Sequence, residues 1–551
     1  MRTITNRLLL LLAMYLGGCT PLQAAIKVPS LFSDHMLLQQ QTSAPVWGWA
    51  EAGELVTATG SWGSRATATT QADGTWKLFL KTPSHGGPYT LSIEGTNRIT
   101  INDVLIGEVW LCAGQSNLGW RLSATFNGKE AAAAADAPAL RIFRSDRQHS
   151  KTPLPDVTAE WKLSSPESAA TCSAVSYYFA HKLHEELKLP VGIIVQPFAG
   201  TPIEGWLPRA IQLGDPRTRA SIQSMDEESA AYDLATAKKQ LARAMERWKN
   251  GERRGKPTLR RPQNEGHQYP GNIFNGLIHP IRPYAIRGVI WYQGERNSKD
   301  LAQAANYQGQ LRKLIRYYRE SWHELSGGNV SRQFPFYFVQ LPCWHPGQND
   351  PVEADAAWAV NREMMRLVSR SVANTGMAVS IDTGDEILLH PLDKKPIGLR
   401  LAYQALKGTY QRDFVANGPV YESAEVDGNR IILKFHSPGT DLVPGRDGPL
   451  DAFAIAGADR RFHWAKATIV GNTVVVSAAA VPQPKAVRYA WAMNPSQRNL
   501  LYNQQGIPAS PFRTDSWPLF DPATYMPQPQ LKPATPKGYK AIPLTRPATT
   551  Q

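Results

Sequence analysis

The amino-acid sequence predicts an α/β core built on a parallel sheet, with β-sandwich-like accessory regions on its N- and C-terminal sides. Three observations carry this. Between about 105 and 412, short apolar runs alternate with helical patterns, as expected of strands buried on both faces and joined by helices. Between 26 and 104 the pattern is an apolar/polar alternation, broken by Gly, Asp and Asn turns at sandwich-like spacing. From about 413 to 520 that β texture returns.

Taken in order, the chain opens with Arg2 and Arg7 before the apolar run Leu8 to Leu16. That run has the length of a signal-peptide core and is too short to span a bilayer, so residues 1–24 read as an export signal. Leu16-Gly17-Gly18-Cys19 resembles a bacterial lipobox, which makes Cys19 the expected lipidated residue. Ordinary cleavage near Ala24 is the alternative. The expected location is the periplasm or outer membrane, with membrane contact only through this anchor.

The N-terminal β region (26–104) contains Ala44-Pro-Val-Trp-Gly-Trp49, Leu55-Val-Thr-Ala58, Thr75-Trp-Lys-Leu-Phe79 and Tyr89-Thr-Leu-Ser-Ile93. The core (105–412) starts with the apolar strand Val104 to Cys112, which runs into Gly114-Gln115-Ser116-Asn117. A helix follows with Val175, Tyr178, Phe179, Leu183 and Leu187 on one face. Further strands are expected at Val191 to Gln196, Gly288 to Tyr292, Phe336 to Leu341 and Met377 to Ile381. Helices are expected near Tyr307 to Trp322 and Asn361 to Ser371. A polar insertion at 215–265 carries the helical stripe Leu234, Leu241, Met245 and Trp248, then a basic loop. Arg430 to Phe435 and Thr473 to Ser477 are strands of the C-terminal β region (413–520). Residues 521–551, rich in Pro, Thr and Lys, are expected to form a loosely held tail.

Composition bounds the function classes. A chain of 551 residues with 42% hydrophobic content supports two to four domains. The net charge of +14 comes from dispersed residues with no nucleic-acid motif, so a basic surface is the reading and nucleic acid is not an expected partner. An acidic substrate would benefit from that field. Cys112, Cys172 and Cys343 have no metal spacing and read as small buried hydrophobes.

Ser116 sits where a parallel-sheet strand ends, the edge at which open α/β sheets bind ligands. A serine there serves either as a nucleophile or as an ordinary helix cap. A nucleophilic serine needs a base, usually His. His390 lies just after the last core strand, with Asp382, Asp385 and Glu386 close in sequence. Its alternative is a structural or solvated role. Acyl transfer also needs donors for a developing oxyanion. Gly200 allows close backbone approach, and Gln293 supplies an amide beside Glu295. Turn chemistry is the alternative for both segments.

These blocks resemble the sialate O-acetylesterase family, a branch of the SGNH hydrolases. The resemblance rests on Gly107-Glu-Val-Trp-Leu-Cys-Ala-Gly-Gln-Ser-Asn117, Gly200-Thr-Pro-Ile-Glu-Gly-Trp206 and Gly288-Val-Ile-Trp-Tyr-Gln-Gly-Glu-Arg-Asn297. His390-Pro391, Lys395, Gly398 to Ala402 and Pro511 to Asp515 extend it over nearly the whole mature chain. It implies a flavodoxin-like, three-layer α/β/α core and a serine esterase mechanism with no metal or cofactor. Ser116 would be the nucleophile and His390 the base, with the Ser116 N–H, the Gly200 N–H and the Gln293 side chain holding the oxyanion. Glu295 and Arg296 are expected to contact substrate; Arg296 stands where relatives usually have serine, and a structural ion pair with a neighbour such as Glu295 is its alternative. The acid that such enzymes place two or three residues before the histidine is replaced by Leu388 and Ile387. Either Asp385, favoured over Glu386, is the orienting acid, or His390 works without a carboxylate as a Ser–His dyad.

The expected activity is removal of O-acetyl groups from sialic acid or a related sugar. The alternatives are the same chemistry on acetylated xylan or xyloglucan, or a non-catalytic sugar-binding surface protein. The expected partner is an acetylated carbohydrate.

Overall fold

The computed structural model describes residues 25–437, 439–527, 530, 532–544 and 546–547. The leader, and with it Cys19, lies outside the described residues.

Seven strands open the fold: β1 (Leu37–Gln39), β2 (Ser43–Trp49), β3 (Leu55–Gly60), β4 (Ser64–Thr69), β5 (Thr75–Lys81), β6 (Gly86–Glu94) and β7 (Arg98–Gly114). In β5 the alternation is read out directly, since Trp76, Leu78 and Leu80 are buried and the residues between them are not. β2 pairs antiparallel with β5, and β3 with β4 and β6.

β7 is 17 residues long and serves two sheets. Its first half pairs antiparallel with β6 and parallel with β1. Its second half, buried continuously, becomes a central strand of the parallel sheet. The change of texture near residue 104 therefore falls inside one strand. The strand runs on because the apolar run from Val104 can be covered on both faces.

The parallel strands are β8 (Ala137–Arg144), β10 (Val191–Pro197), β11 (Gly288–Tyr292), β12 (Phe336–Val339) and β13 (Thr375–Ala378); β9 (Trp161–Ser164) adds to one edge, antiparallel to β8. The order is β13-β12-β11-β7-β10-β8-β9. Sequence reading misses β8 and β9 and sets β12 and β13 two and three residues too far along, at 341 and 381. The chain leaves the sheet at Val339 and Ala378 to build the loops that carry the site.

Six longer helices matter here: α1 (Ala174–Leu187), α2 (Pro216–Ala230), α3 (Leu234–Lys249), α4 (Leu301–Leu325), α5 (Ala357–Ser371) and α6 (Lys395–Gly408). Successive β7 residues go to opposite faces of the sheet. Val109, Leu111 and Ala113 join a cluster with Tyr307, Leu311, Leu314 and Trp322 of α4. Trp110 and Cys112 join another with Phe179 and Leu183 of α1 and Ile397 and Leu401 of α6. The insertion holds α2 and α3. Leu241, Met245 and Trp248 of α3 are half-buried, while Leu234 stays 47% exposed.

The C-terminal region forms three small antiparallel sheets, two of four strands and a third that pairs β16 (Leu442–Pro444) with β22 (Leu501–Asn503). The first contains β14 (Val420–Asp427), β15 (Arg430–His436), β19 (Lys466–Val470) and β20 (Thr473–Ser477). The second runs β18-β17-β21-β23 across Phe462–Trp464, Phe453–Ala456, Ala486–Tyr489 and Phe512–Arg513. The tail is tied down more firmly than its composition suggests. The Tyr525 hydroxyl accepts from the Leu301 N–H at 3.0 Å, and Arg546 pairs with Asp382 and Asp393. Cys112, Cys172 and Cys343 are buried, and burial pushes the Cys172 and Cys343 thiols up to about 12. Among the described residues no helix is long and apolar enough to cross a membrane.

Trp110 locks the central strand to the α1/α6 face. It packs edge-on against Phe179 at 5.1 Å and stacks on Tyr337 at 5.9 Å. Its Nε1 donates to the Tyr410 hydroxyl at 3.1 Å. Trp110→Ala should lower stability by about 3–5 kcal/mol, through lost burial and the cavity left behind. Urea unfolding checks this; a loss under about 1 kcal/mol would contradict the packing described.

Candidate active site

β7, β10 and β11 end level with one another, Gly114 lying opposite both Pro197 and Tyr292. The loops after these strands, and the loop after β13, therefore open on the same edge. Gly114 adopts φ +151, and a Cβ there would lie 2.1 Å from the Tyr292 carbonyl oxygen. Only glycine permits that approach. The Gln115 N–H then donates to the Tyr292 carbonyl at 3.0 Å, and the Phe198 N–H to the Gly114 carbonyl at 2.9 Å. These bonds fix the turn that carries Ser116.

The structure brings Ser116 and His390 together across 274 residues: Ser116 Oγ lies 2.8 Å from His390 Nε2. The imidazole stacks on Trp120, with ring centroids 4.7 Å apart and planes 16° from parallel. Burial first, then the charges of Lys394 and Lys532, push its pKa down to about 4. At neutral pH the ring is uncharged. With its proton on Nδ1, Nε2 is the acceptor for the serine hydroxyl.

Gly200, with φ +72, follows β10 and faces the same cleft. Among the described residues neither the Ser116 N–H nor the Gly200 N–H donates to a protein acceptor. Both are available to an oxyanion beside Ser116 Oγ.

Two expectations are corrected. Gln293 is fully buried, and its Nε2 donates to the Thr201 carbonyl at 3.0 Å and to Asn297 Oδ1 at 2.8 Å. Its Oε1 accepts from the Tyr307 hydroxyl at 2.7 Å. With both amide hydrogens committed, Gln293 braces the loops after β10 and β11 and gives nothing to an oxyanion. Gln115 lines the cleft instead; its Oε1 accepts from the Arg296 N–H at 3.4 Å, leaving its amide nitrogen without a described acceptor.

Asp385 does not orient His390. Its Oδ1 accepts from the Ile387 and Leu388 N–H groups, both at 2.7 Å, and Tyr539 donates to the carboxylate at 2.9 Å. It caps the turn that leads to the histidine. Glu386 accepts from Gln497, and Asp382 is held by Arg400. Among the described residues no carboxylate hydrogen-bonds to the His390 ring.

Sequence reasoning missed a buried polar chain behind the pair. Lys394 Nζ donates to Asn117 Oδ1 at 2.5 Å. Asn117 Nδ2 donates to Glu295 Oε1 at 2.5 Å and to the Leu389 carbonyl at 3.2 Å. Burial pushes the Glu295 carboxyl up and the Lys394 ammonium down to about 7. The Lys394 ammonium also lies 5.5 Å from the Tyr292 ring centre. Asn117 and Lys394 lie beside residues the sequence reading did single out, and nothing local marks them as partners.

Arg296 lines the cleft without pairing to Glu295. Its Nη2 donates to Gln268 at 2.6 Å, and its buried Nε has no protein partner. The cleft measures about 680 Å³ and is lined by Ser116, His390, Gly200, Arg296, Trp344 and Trp358, among others. A second cavity of about 500 Å³ lies beside the tail, near Asp385, Arg446 and Tyr539, and contains neither Ser116 nor His390. Among the described residues no three His, Cys, Asp or Glu side chains are grouped to hold a metal ion.

The family model described as "Carbohydrate esterase, sialic acid-specific acetylesterase" matches residues 242–386, a stretch that includes Glu295 and Arg296 but neither Ser116 nor His390. Mouse sialate O-acetylesterase is 28% identical, over 88% of this chain and 93% of that protein. The human sialate O-acetylesterase is 26% identical, over 88% of this chain and 91% of that protein. A solved structure of a carbohydrate acetylesterase from Xanthomonas citri superposes with TM-score 0.75 at 34% identity, covering 90% of this chain and 100% of that one. With that identity spread over nearly the full length of both chains, this chain belongs to the sialate O-acetylesterase family of carbohydrate esterases.

Proposed function

We propose that the chain is a serine O-acetylesterase acting on acetylated sialic acid or a related acidic sugar, through a Ser116–His390 dyad. The observation that carries this reading is the 2.8 Å contact between Ser116 Oγ and His390 Nε2 in a cleft at the carboxyl edge of the sheet. The core is read as the flavodoxin-like, three-layer SGNH type, supported by α1 and α6 on one face of the sheet and α4 on the other. The basic, apolar leader supports an exported enzyme lipidated at Cys19, in the periplasm or outer membrane.

In the first step Ser116 Oγ attacks the acetyl carbonyl carbon and passes its proton to His390 Nε2. The carbonyl oxygen becomes an oxyanion beside the Ser116 and Gly200 N–H groups and the Gln115 amide. Each donor is worth about 3 kcal/mol of barrier. The C–O bond to the sugar then breaks, and His390 returns the proton to the departing sugar oxygen. Water attacks the acetyl-serine, again giving its proton to His390. Acetate leaves and Ser116 regains its hydrogen. With no described carboxylate on the ring, Trp120 stacking holds the imidazole plane.

The Arg296 guanidinium at the cleft pairs with Gln268 and with no carboxylate among the described residues, which supports an anionic substrate. A sialic acid carboxylate would satisfy it, whereas an unsubstituted acetylated xylan would leave it unpaired.

Ser116→Ala should cut acetate release by at least about 10³-fold while leaving the circular dichroism spectrum and Tm unchanged. A folded Ser116→Ala variant with near-native turnover would rule out the mechanism. Arg296→Ser should raise KM for acetylated sialic acid by roughly tenfold or more, and for a neutral acetyl ester far less. Equal rises for the two substrates would count against charge recognition.

A further inference from the structure

The pair Ser116–His390 is supplied by two segments with no shared strand: the turn after β7 and the loop between β13 and α6. Something must hold them in register. Asn117 ties them: it follows the serine in sequence and donates to the carbonyl of Leu389, the residue before the histidine. An asparagine amide that donates on one side needs its carbonyl oxygen satisfied on the other. Lys394 does this from the first residue before α6. Glu295, from the loop after β11, accepts from the same Asn117 amide.

Lys394 is fully buried, and a buried ammonium survives only where the fold gives it partners. Here it has the Asn117 carbonyl oxygen, the face of Tyr292 and the nearby Glu295 and Asp393 carboxylates. No step of the acyl transfer uses its proton. A lysine held at that cost against the catalytic pair calls for a task.

We propose that Lys394 is a positioning residue for the Ser116–His390 pair: through Asn117 it clamps the serine turn to the histidine loop, and in doing so it sets its ammonium beside the imidazole. This rests on the acyl-transfer reading above. The charged groups facing His390 are Lys394 from its own loop and Lys532 from the tail. Those facing Lys394 are Glu295 and Asp393, and Asp393 is itself paired with Arg546. Both lysines disfavour the imidazolium. In the acid range where the imidazole titrates, Lys394 is protonated, because its own pKa of about 7 lies higher. The sign follows: removing Lys394 makes the imidazolium easier to form, so the base is lost at higher pH.

The test is the pH dependence of acetate-ester hydrolysis by the purified full chain, as wild type, Lys394→Met and Lys394→Gln. For the wild type, kcat/KM should fall on the acid side well below the ordinary histidine range, with a limb near the His390 value of about 4. Lys394→Met should lower kcat by about 10- to 100-fold, with KM within about threefold. Its acid limb should move up by roughly one pH unit or more. Lys394→Gln keeps a donor for Asn117 without the charge. It should shift the limb likewise while retaining more of kcat, and it stands in if the methionine variant does not fold. A wild-type limb near 6.5 overturns the proposal. So does a kcat loss with an unmoved limb, which is mere structural support, or a rise confined to KM, which is substrate binding. An active Ser116→Ala enzyme would instead sink the acyl-transfer reading itself.

Discussion

The level termination of β7, β10 and β11 is the constraint on which the site depends. Gly114, Pro197 and Tyr292 are register partners, so the three following loops leave the sheet side by side. Gly114 is what makes this contact close enough: any side chain would collide with the Tyr292 carbonyl and push β7 away from β11. Ser116, Gly200 and Glu295 then reach one cleft without further design. The same strand reaches back into the N-terminal β region, so that region is built onto the backbone that presents Ser116. Two of the proposed oxyanion donors, the Ser116 and Gly200 N–H groups, belong to the backbone of the turns that this register sets.

The histidine arrives by another route, and its support is electrostatically unusual. A carboxylate behind a catalytic imidazole favours the imidazolium. Here burial and two lysines disfavour it. In the proposed acyl transfer such a ring is a weaker base for the serine, but once protonated it is a stronger acid toward the departing sugar oxygen. A sugar alkoxide is a poor leaving group, so this exchange suits the step in which the ester bond breaks. Orientation is left to Trp120 and to the Lys394–Asn117–Leu389 chain, which fix ring plane and loop position without offering a negative charge.

What could be read from sequence was what local pattern determines. The apolar runs of β7, β10 and β11 are buried on both faces and announce themselves. Ser116 and His390 were visible because each follows a strand end and because each sits in a family block. Gln293 and Asp385 were misjudged for a common reason. Each is consumed by near and distant partners together: Asn297, Thr201 and Tyr307 for the amide, the Ile387 and Leu388 N–H groups and Tyr539 for the carboxylate. A side chain near an active site in sequence is free for chemistry only if no such partner consumes it. β8 and β9 escaped because the first follows an Ala run and carries Pro138 near its start, and the second is four residues long. Lys394 escaped because its neighbour Lys395 carries the family resemblance, and burial cannot be told between adjacent lysines at a helix start.

The central claim is that Ser116 is a nucleophile activated by His390. A fluorophosphonate probe reacts only with an activated serine, and peptide mass spectrometry locates the adduct. The account predicts one adduct, on Ser116, formed rapidly by the native protein and greatly slowed in His390→Ala. An adduct elsewhere, or full esterase activity surviving saturating probe with Ser116 unmodified, would contradict it.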